Sequence, residues 1–200
     1  ILSGAAGDHV DAGNGNNLIV GDNGSAGFST NGNVSHMTST DNSVGGRDTI
    51  HAGSGNDLVL GGVDNDTITN VAGNNVVAAD NADVLFRNDG TLQQLQSETV
   101  EFAGTDSVTT GSGSDVVLGG SGSDNLTTSG GDNLIVGDNG LLIFDAIGIW
   151  MTVESTATDA GGDETINSGS GHDHVIAGFG NDAVTTTGGD NVIFGDNAKL

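Results

Sequence analysis

The sequence has no cysteine, no proline and no tyrosine, and its only basic residues are Arg47, Arg87 and Lys199. Without cysteine there is no disulfide framework and no thiolate metal site. Three scattered cations make no basic patch to meet phosphates, so nucleic acid is not expected as a partner. No apolar run approaches the ~20 residues that a membrane-spanning helix needs, so membrane insertion is not expected. No signal peptide is visible in these residues, but the first of them falls inside a repeat, so any targeting signal is expected outside them. The excess lies elsewhere, in 36 glycines and 27 acids among 200 residues, with a formal net charge of −24. Self-repulsion on that scale opposes any compact state unless cations neutralise it.

The acids and glycines are not scattered. Asp22, Asp80, Asp138 and Asp196 recur at one fixed interval, the period of a 58-residue repeat, and each is followed by Asn. Asp8, Asp66, Asp124 and Asp182 keep the same spacing, as do Phe28, Phe86 and Phe144. The whole chain, 1–200, therefore reads as one continuous repeat array: a partial copy 1–42, repeats 43–100 and 101–158, and a partial copy 159–200. Both ends cut through a repeat and neither resembles a polar cap, so a longer array is expected.

A nine-residue period runs inside each copy. Asp48, Asp57, Asp66 and Asn75 follow it, as do Asp106, Asp115, Asp124 and Asn133, and Glu164, Asp173, Asp182 and Asn191. Shortly after each comes an aliphatic, always at the same offset, from Val10 and Ile19 through Ile50, Val59, Ile68 and Val77 to Val184 and Ile193. Such a period is two and a half helical turns, which no helix face would repeat. A short strand and a Gly-rich turn fit it.

The segments "GGSGSDNLT" (119–127), "TGSGSDVVL" (110–118), "AGFGNDAVT" (177–185) and "AGSGNDLVL" (52–60) resemble the nonapeptide G-G-x-G-x-D-x-U-x of the RTX calcium-binding proteins, with U aliphatic. The resemblance implies an all-β fold, a right-handed parallel β-roll or β-solenoid in which each nonapeptide is a half-turn. It also implies several Ca²⁺ ions held between loops stacked two nonapeptides apart. Glycine leaves carbonyls bare and carboxylates are hard oxygen donors, the ligands Ca²⁺ prefers. Three departures stand out. Asp64 replaces a loop glycine; the fourth loop of every unit carries Asn17, Asn75, Asn133 or Asn191 in place of Asp; and a 22-residue insertion follows every fourth strand.

Residues flanking the aliphatics point outward. In half-turns one and three they are mostly polar, such as Thr49, Thr67, Thr69, Thr109 and Thr127. In half-turns two and four they are mostly apolar, such as Leu58, Leu60, Leu118, Leu134, Val136 and Ile176. One sheet of the roll thus carries a second apolar face, which is not expected to stay exposed. The insertions, among them "LLIFDAIGIWMTVES" (141–155), "DVLFRNDGTLQQLQSETVEF" (83–102) and "SAGFSTNGNVSHMTST" (25–40), are expected to add one or two strands each. These would make an extra layer over that face, in preference to cover by another chain.

The strongest metal candidates are Asp8, Asp57, Asp66, Asp115, Asp124, Asp173 and Asp182, because carboxylates stacked at about 4.8 Å repel without a cation, and Asp64, in place of a loop glycine, is added to the metal set. Asp48, Asp106 and Glu164 head less regular loops and rank lower. Asp22, Asp80, Asp138 and Asp196, where the insertions leave the roll, suit an Asx-type turn as well as a metal. The histidines of "HDH" (172–174) face different ways, and His9 and His51 read as scattered outward positions. All are taken as surface or packing residues, and Trp150 as core. No constellation supports catalysis, since every carboxylate pair recurs by repetition, so no enzyme is expected. The resemblance implies export into calcium-rich surroundings, extracellular or at the cell surface, with folding driven by Ca²⁺. The functional expectation is a structural segment of a large secreted surface adhesin or extracellular fibre. A folding and secretion module of an RTX toxin or exoenzyme is the alternative, and an ice-binding solenoid ranks third. The partner expectation is the chain itself, in a bundle or fibre, through the apolar face or the ends of the roll.

Overall fold

A computed structural model describes residues 1–98, 101–102 and 104–200, which form twenty strands and no helix. Two parallel seven-stranded sheets build the roll. The first holds β1 (His9–Asp11), β5 (Thr49–Ser54), β7 (Thr67–Ala72), β11 (Ser107–Thr109), β13 (Asn125–Thr127), β17 (Thr165–Gly169) and β19 (Ala183–Thr186). The second holds β2 (Leu18–Val20), β6 (Leu58–Gly62), β8 (Val76–Asp80), β12 (Val116–Leu118), β14 (Leu134–Val136), β18 (His174–Ile176) and β20 (Val192–Phe194). The periodic aliphatics face each other between these sheets. Those from Val10 to Val175 are buried in one continuous core, Val184 is half-buried, and Ile193 in the last strand is 43% exposed. Valine and isoleucine suit this place because their branched side chains pack on a pleated surface.

The register differs from an even stack of paired nonapeptides. Within a copy, successive turns pair with a sequence offset of 18, as Thr49↔Thr67 and Leu58↔Val76. Between copies the offset is 40, as in Thr67↔Ser107 and Val76↔Val116, because the insertion loops out. Each repeat copy is therefore two turns of the roll, one short and one long.

Every described insertion is a two-stranded hairpin: β3 (Gly24–Phe28) with β4 (Val34–Ser39), β9 (Ala82–Phe86) with β10 (Leu92–Ser97), and β15 (Gly140–Phe144) with β16 (Trp150–Ser155). Gly32, Gly90 and Gly148, equivalent positions of the repeat, take the positive φ that the hairpin turns require. The hairpins pair edge to edge in an antiparallel sheet, order β16-β15-β10-β9-β4-β3. Alternate residues of this sheet, including Met37, Val84, Leu95, Leu142, Phe144 and Val153, bury against the outer face of the second parallel sheet at Val20, Leu60, Leu118, Val136 and Ile176. The chain covers its own apolar face, as the insertions' composition implies, except in the last strand, where Val192 and Phe194 are exposed. Trp150 is part of this packing, with its ring 5.0 Å from that of His174 on β18.

Candidate metal sites

The roll stacks its loops into two columns, one before each parallel sheet. The first column contains only acids: Asp8, Asp48, Asp66, Asp106, Asp124, Glu164 and Asp182. The same bond stitches turn to turn, except at the step from Asp124 to Glu164. Asp8 N–H donates to Asp48 Oδ1 (2.7 Å), Asp48 N–H to Asp66 Oδ1 (2.8 Å), Asp66 N–H to Asp106 Oδ1 (2.7 Å), and Asp106 N–H to Asp124 Oδ1 (2.8 Å). Glu164 N–H donates likewise to Asp182 Oδ1 (3.0 Å). That uses one oxygen of each accepting carboxylate. The other oxygen of Asp48, Asp66, Asp106, Asp124 and Asp182, and both of Glu164, are buried with no hydrogen-bond donor among the described residues. A buried, unpaired carboxylate oxygen is costly.

The titration of these groups follows. Burial pushes Asp66 up to about 9, with repulsion from Asp106, Asp48 and Asp22 adding to it. Burial, then Asp106, raises Asp124 to about 8. Burial raises Glu164 to about 9, with Asp182, Asp138 and Asp124 contributing. Asp106 rises to about 7 and Asp48 to about 6, burial leading in both.

Main-chain oxygens converge on the same places. A methyl group on Gly21 would collide with Asp48 Oδ2 and with the Gly61 carbonyl oxygen. One on Gly61 would meet Asp66 Oδ2 at 2.6 Å and collide with the Ala79 carbonyl oxygen. Only glycine leaves that space to the oxygens. An all-oxygen, multiply charged donor set of this kind fits Ca²⁺, and Asp48, Asp66, Asp106, Asp124, Glu164 and Asp182 are the residues that would hold it. Asp48, Asp106 and Glu164, ranked lower on the sequence, lie in the same column as Asp66 and Asp124. The long offset between copies, which places them there, was hidden by the insertion.

The second column alternates Asn and Asp: Asn17, Asp57, Asn75, Asp115, Asn133, Asp173 and Asn191. Its backbone ladder is the same, for example Asp57 N–H to Asn75 Oδ1 (3.0 Å) and Asn75 N–H to Asp115 Oδ1 (2.9 Å). The difference is the amide nitrogen. Asn75 Nδ2 donates to the Gly73 carbonyl (3.0 Å) and to Asp115 Oδ1 (3.0 Å), and Asn133 Nδ2 repeats this with Gly131 (3.1 Å) and Asp173 Oδ1 (3.0 Å). Asn17 Nδ2 does the same with Gly15 and Asp57. The asparagine N–H groups thus supply, beside Asp57, Asp115 and Asp173, the positive partner that the acid column lacks. The second oxygens of Asp57 and Asp173 also find donors, in Asn70 (3.3 Å) and Ser168 (2.7 Å). The second oxygen of Asp115 is buried without a donor among the described residues, as in the acid column, and burial raises Asp115.

Asp22, Asp80 and Asp138 sit at the exits of the insertions, beside the acid column. Each spends both oxygens on backbone N–H groups: Asp22 on Gly46 (3.0 Å) and Val63 (2.6 Å), Asp80 on Gly104 (3.2 Å) and Ser121 (2.7 Å), and Asp138 on Gly162 (3.2 Å) and Phe179. They close the long turn. Burial still raises Asp80 to about 9, with Asp106 and Asp124 adding repulsion, and raises Asp138 to about 7. Asp64 is exposed, and takes φ 70° at the place where the next copy has Gly122. Asp196, in the last turn, is exposed.

A family model of the RTX calcium-binding nonapeptide repeat matches the chain in four copies, over residues 1–25, 43–77, 109–140 and 159–193. Most of each hairpin falls between or at the edges of these matches, so the third layer is an addition to the repeat. No curated protein and no solved structure matches the chain.

Proposed function

The chain belongs to the RTX calcium-binding nonapeptide repeat family and is a calcium-binding structural repeat module; from that premise we propose that it is a stiff segment of a large secreted surface adhesin or extracellular fibre. The observation that carries this reading is the sharing of sheets between copies. Both parallel sheets run through every copy, and β10 pairs with β15 and β4 with β9, so each hairpin is joined to the next. A spacer held by three continuous sheets resists bending. Its sites recur with the repeat, which suits load-bearing and offers no single centre for catalysis, so the role is non-enzymatic. Calcium outside the cell, at levels on the order of 10⁻³ M, suits sites of modest affinity and would let the chain harden after export.

The test is small-angle scattering with far-UV circular dichroism, in EDTA and in millimolar Ca²⁺, with Mg²⁺ as control. An expanded coil in EDTA and a β-rich rod with Ca²⁺ alone support the reading. A rod already complete in EDTA sinks it. A secretion module beside an enzyme would fold the same way. The parent sequence separates the two, since a fibre requires many more copies of the repeat and the module requires a neighbouring catalytic domain.

A further inference from the structure

The outer face of the first parallel sheet is threonine-rich wherever the repeat is regular. The positions equivalent to His9 hold Thr67, Asn125 and Ala183, those equivalent to Asp11 hold Thr69, Thr127 and Thr185, and those equivalent to His51 hold Thr109 and Asn167. The N-terminal end of the sheet alone carries ionisable residues at these positions, His9, Asp11 and His51. In sequence the two histidines lie in different copies of the repeat. The long offset between copies makes them neighbours: His9 and Asp11 point out of β1, and Asp11 pairs directly with His51 on β5. His9 Nε2 is 3.1 Å from Asp11 Oδ2, the two imidazole rings are 5.5 Å apart, and one ligand atom from each of the three residues lies within 4.8 Å of the others.

We propose that His9, Asp11 and His51 bind one borderline divalent transition-metal ion, Zn²⁺ or its neighbours, separately from the acid column. The donor set decides the class. Two imidazole nitrogens and one carboxylate suit Zn²⁺, Ni²⁺ or Cu²⁺, whereas Ca²⁺ takes oxygen. Around a tetrahedral ion with bonds of ~2.1 Å, ligand atoms lie ~3.4 Å apart. The His9–Asp11 pair is already close to that spacing, and the His51 ring closes the remainder by side-chain rotation. The fourth position faces solvent. The other histidines are used differently: His36 is paired with Asp83, His172 Nδ1 accepts from Asp190 N–H, and His174 packs on Trp150. The strong negative charge of the whole chain raises the local concentration of any cation.

The experiment is calorimetric titration of the 200-residue chain with Zn²⁺ in saturating Ca²⁺, so that the acid column is not the acceptor. The variants His9→Thr and His51→Thr restore residues that the repeat itself carries at those positions, and dichroism checks that they fold. His172→Ser, matching Ser114, is the control. The expected result is one saturable Zn²⁺ event, weakened at least ~10-fold in both variants and unchanged in the control. In histidine NMR spectra, Zn²⁺ should shift the ring resonances of His9 and His51 and leave those of His36 in place. No saturable event, or one that both variants leave intact, overturns the assignment.

Discussion

At the residue scale, the two loop columns differ in one atom on alternate turns. Asn and Asp have the same shape and make the same backbone ladder, but the Asn amide donates where the carboxylate can only accept. Replacing Asp66 or Asp124 with Asn should therefore import the internal donor into the acid column. The expected outcome is fewer bound Ca²⁺ ions and more residual β-structure in EDTA, read by Ca²⁺ titration against dichroism. Asn75→Asp should do the reverse, stacking a fresh charge on Asp115 and making the fold more dependent on calcium. The metal-free chain should also respond to pH with a sign opposite to that of most acidic proteins. Its buried acids have folded-state values raised above the ordinary ~3.9 of an aspartate and ~4.3 of a glutamate, Asp66 and Glu164 to about 9 and Asp124 to about 8. The fold then holds more protons than the coil. Stability is fully present below the ordinary carboxylate value and is lost as pH rises through about 8 and 9. Acidification in EDTA should increase β-structure, and a fold that instead weakens on acidification contradicts this account of the acid column.

At the scale of elements, the third layer is held to the roll by apolar packing and should fail separately from the calcium chemistry. Leu95 on β10 faces Leu142 on β15, both fully buried across the junction of two copies. Leu95→Ala or Leu142→Ala should each cost about 2–5 kcal/mol, and the double variant should cost less than the sum, since the two share one cavity. Urea unfolding of the Ca²⁺-loaded chain measures both. The elements also mark what could be read from the sequence. The inward aliphatics were legible because a nine-residue strand-and-turn period leaves no other face for Val59 or Val117 to occupy. The covering hairpins were legible because an apolar outer face needs a partner and "LLIFDAIGIW" (141–150) is one. The stacking of turns was not legible, because pairing depends on how far the insertion is looped out, and sequence distance does not say. That hidden step placed Asp48 and Asp106 in the buried column, and brought His51 beside Asp11. The role of Asn133 was also hidden, since an amide that donates to a carboxylate and one that merely turns the chain are the same letter.

At the scale of the whole molecule, the question is whether roll and cover fold as one unit. The acid column stands before the first parallel sheet, while Trp150 sits in the third layer with its ring against His174 on the second. Far-UV dichroism reports the strands of all three sheets, and Trp150 fluorescence reports only the junction of cover and roll. If calcium neutralises the column and the roll then presents its outer apolar face as a template, the hairpins have nothing to bury until the roll has formed. The two signals should rise together over one Ca²⁺ range, because the cover contributes its burial only on a finished face and the face is unstable uncovered. Coincident midpoints, with a single cooperative transition in both probes, are the expected outcome. A dichroism change that precedes the fluorescence change would mean that the roll stands on its calcium sites alone, and the Leu95 and Leu142 variants would then lower only the later transition.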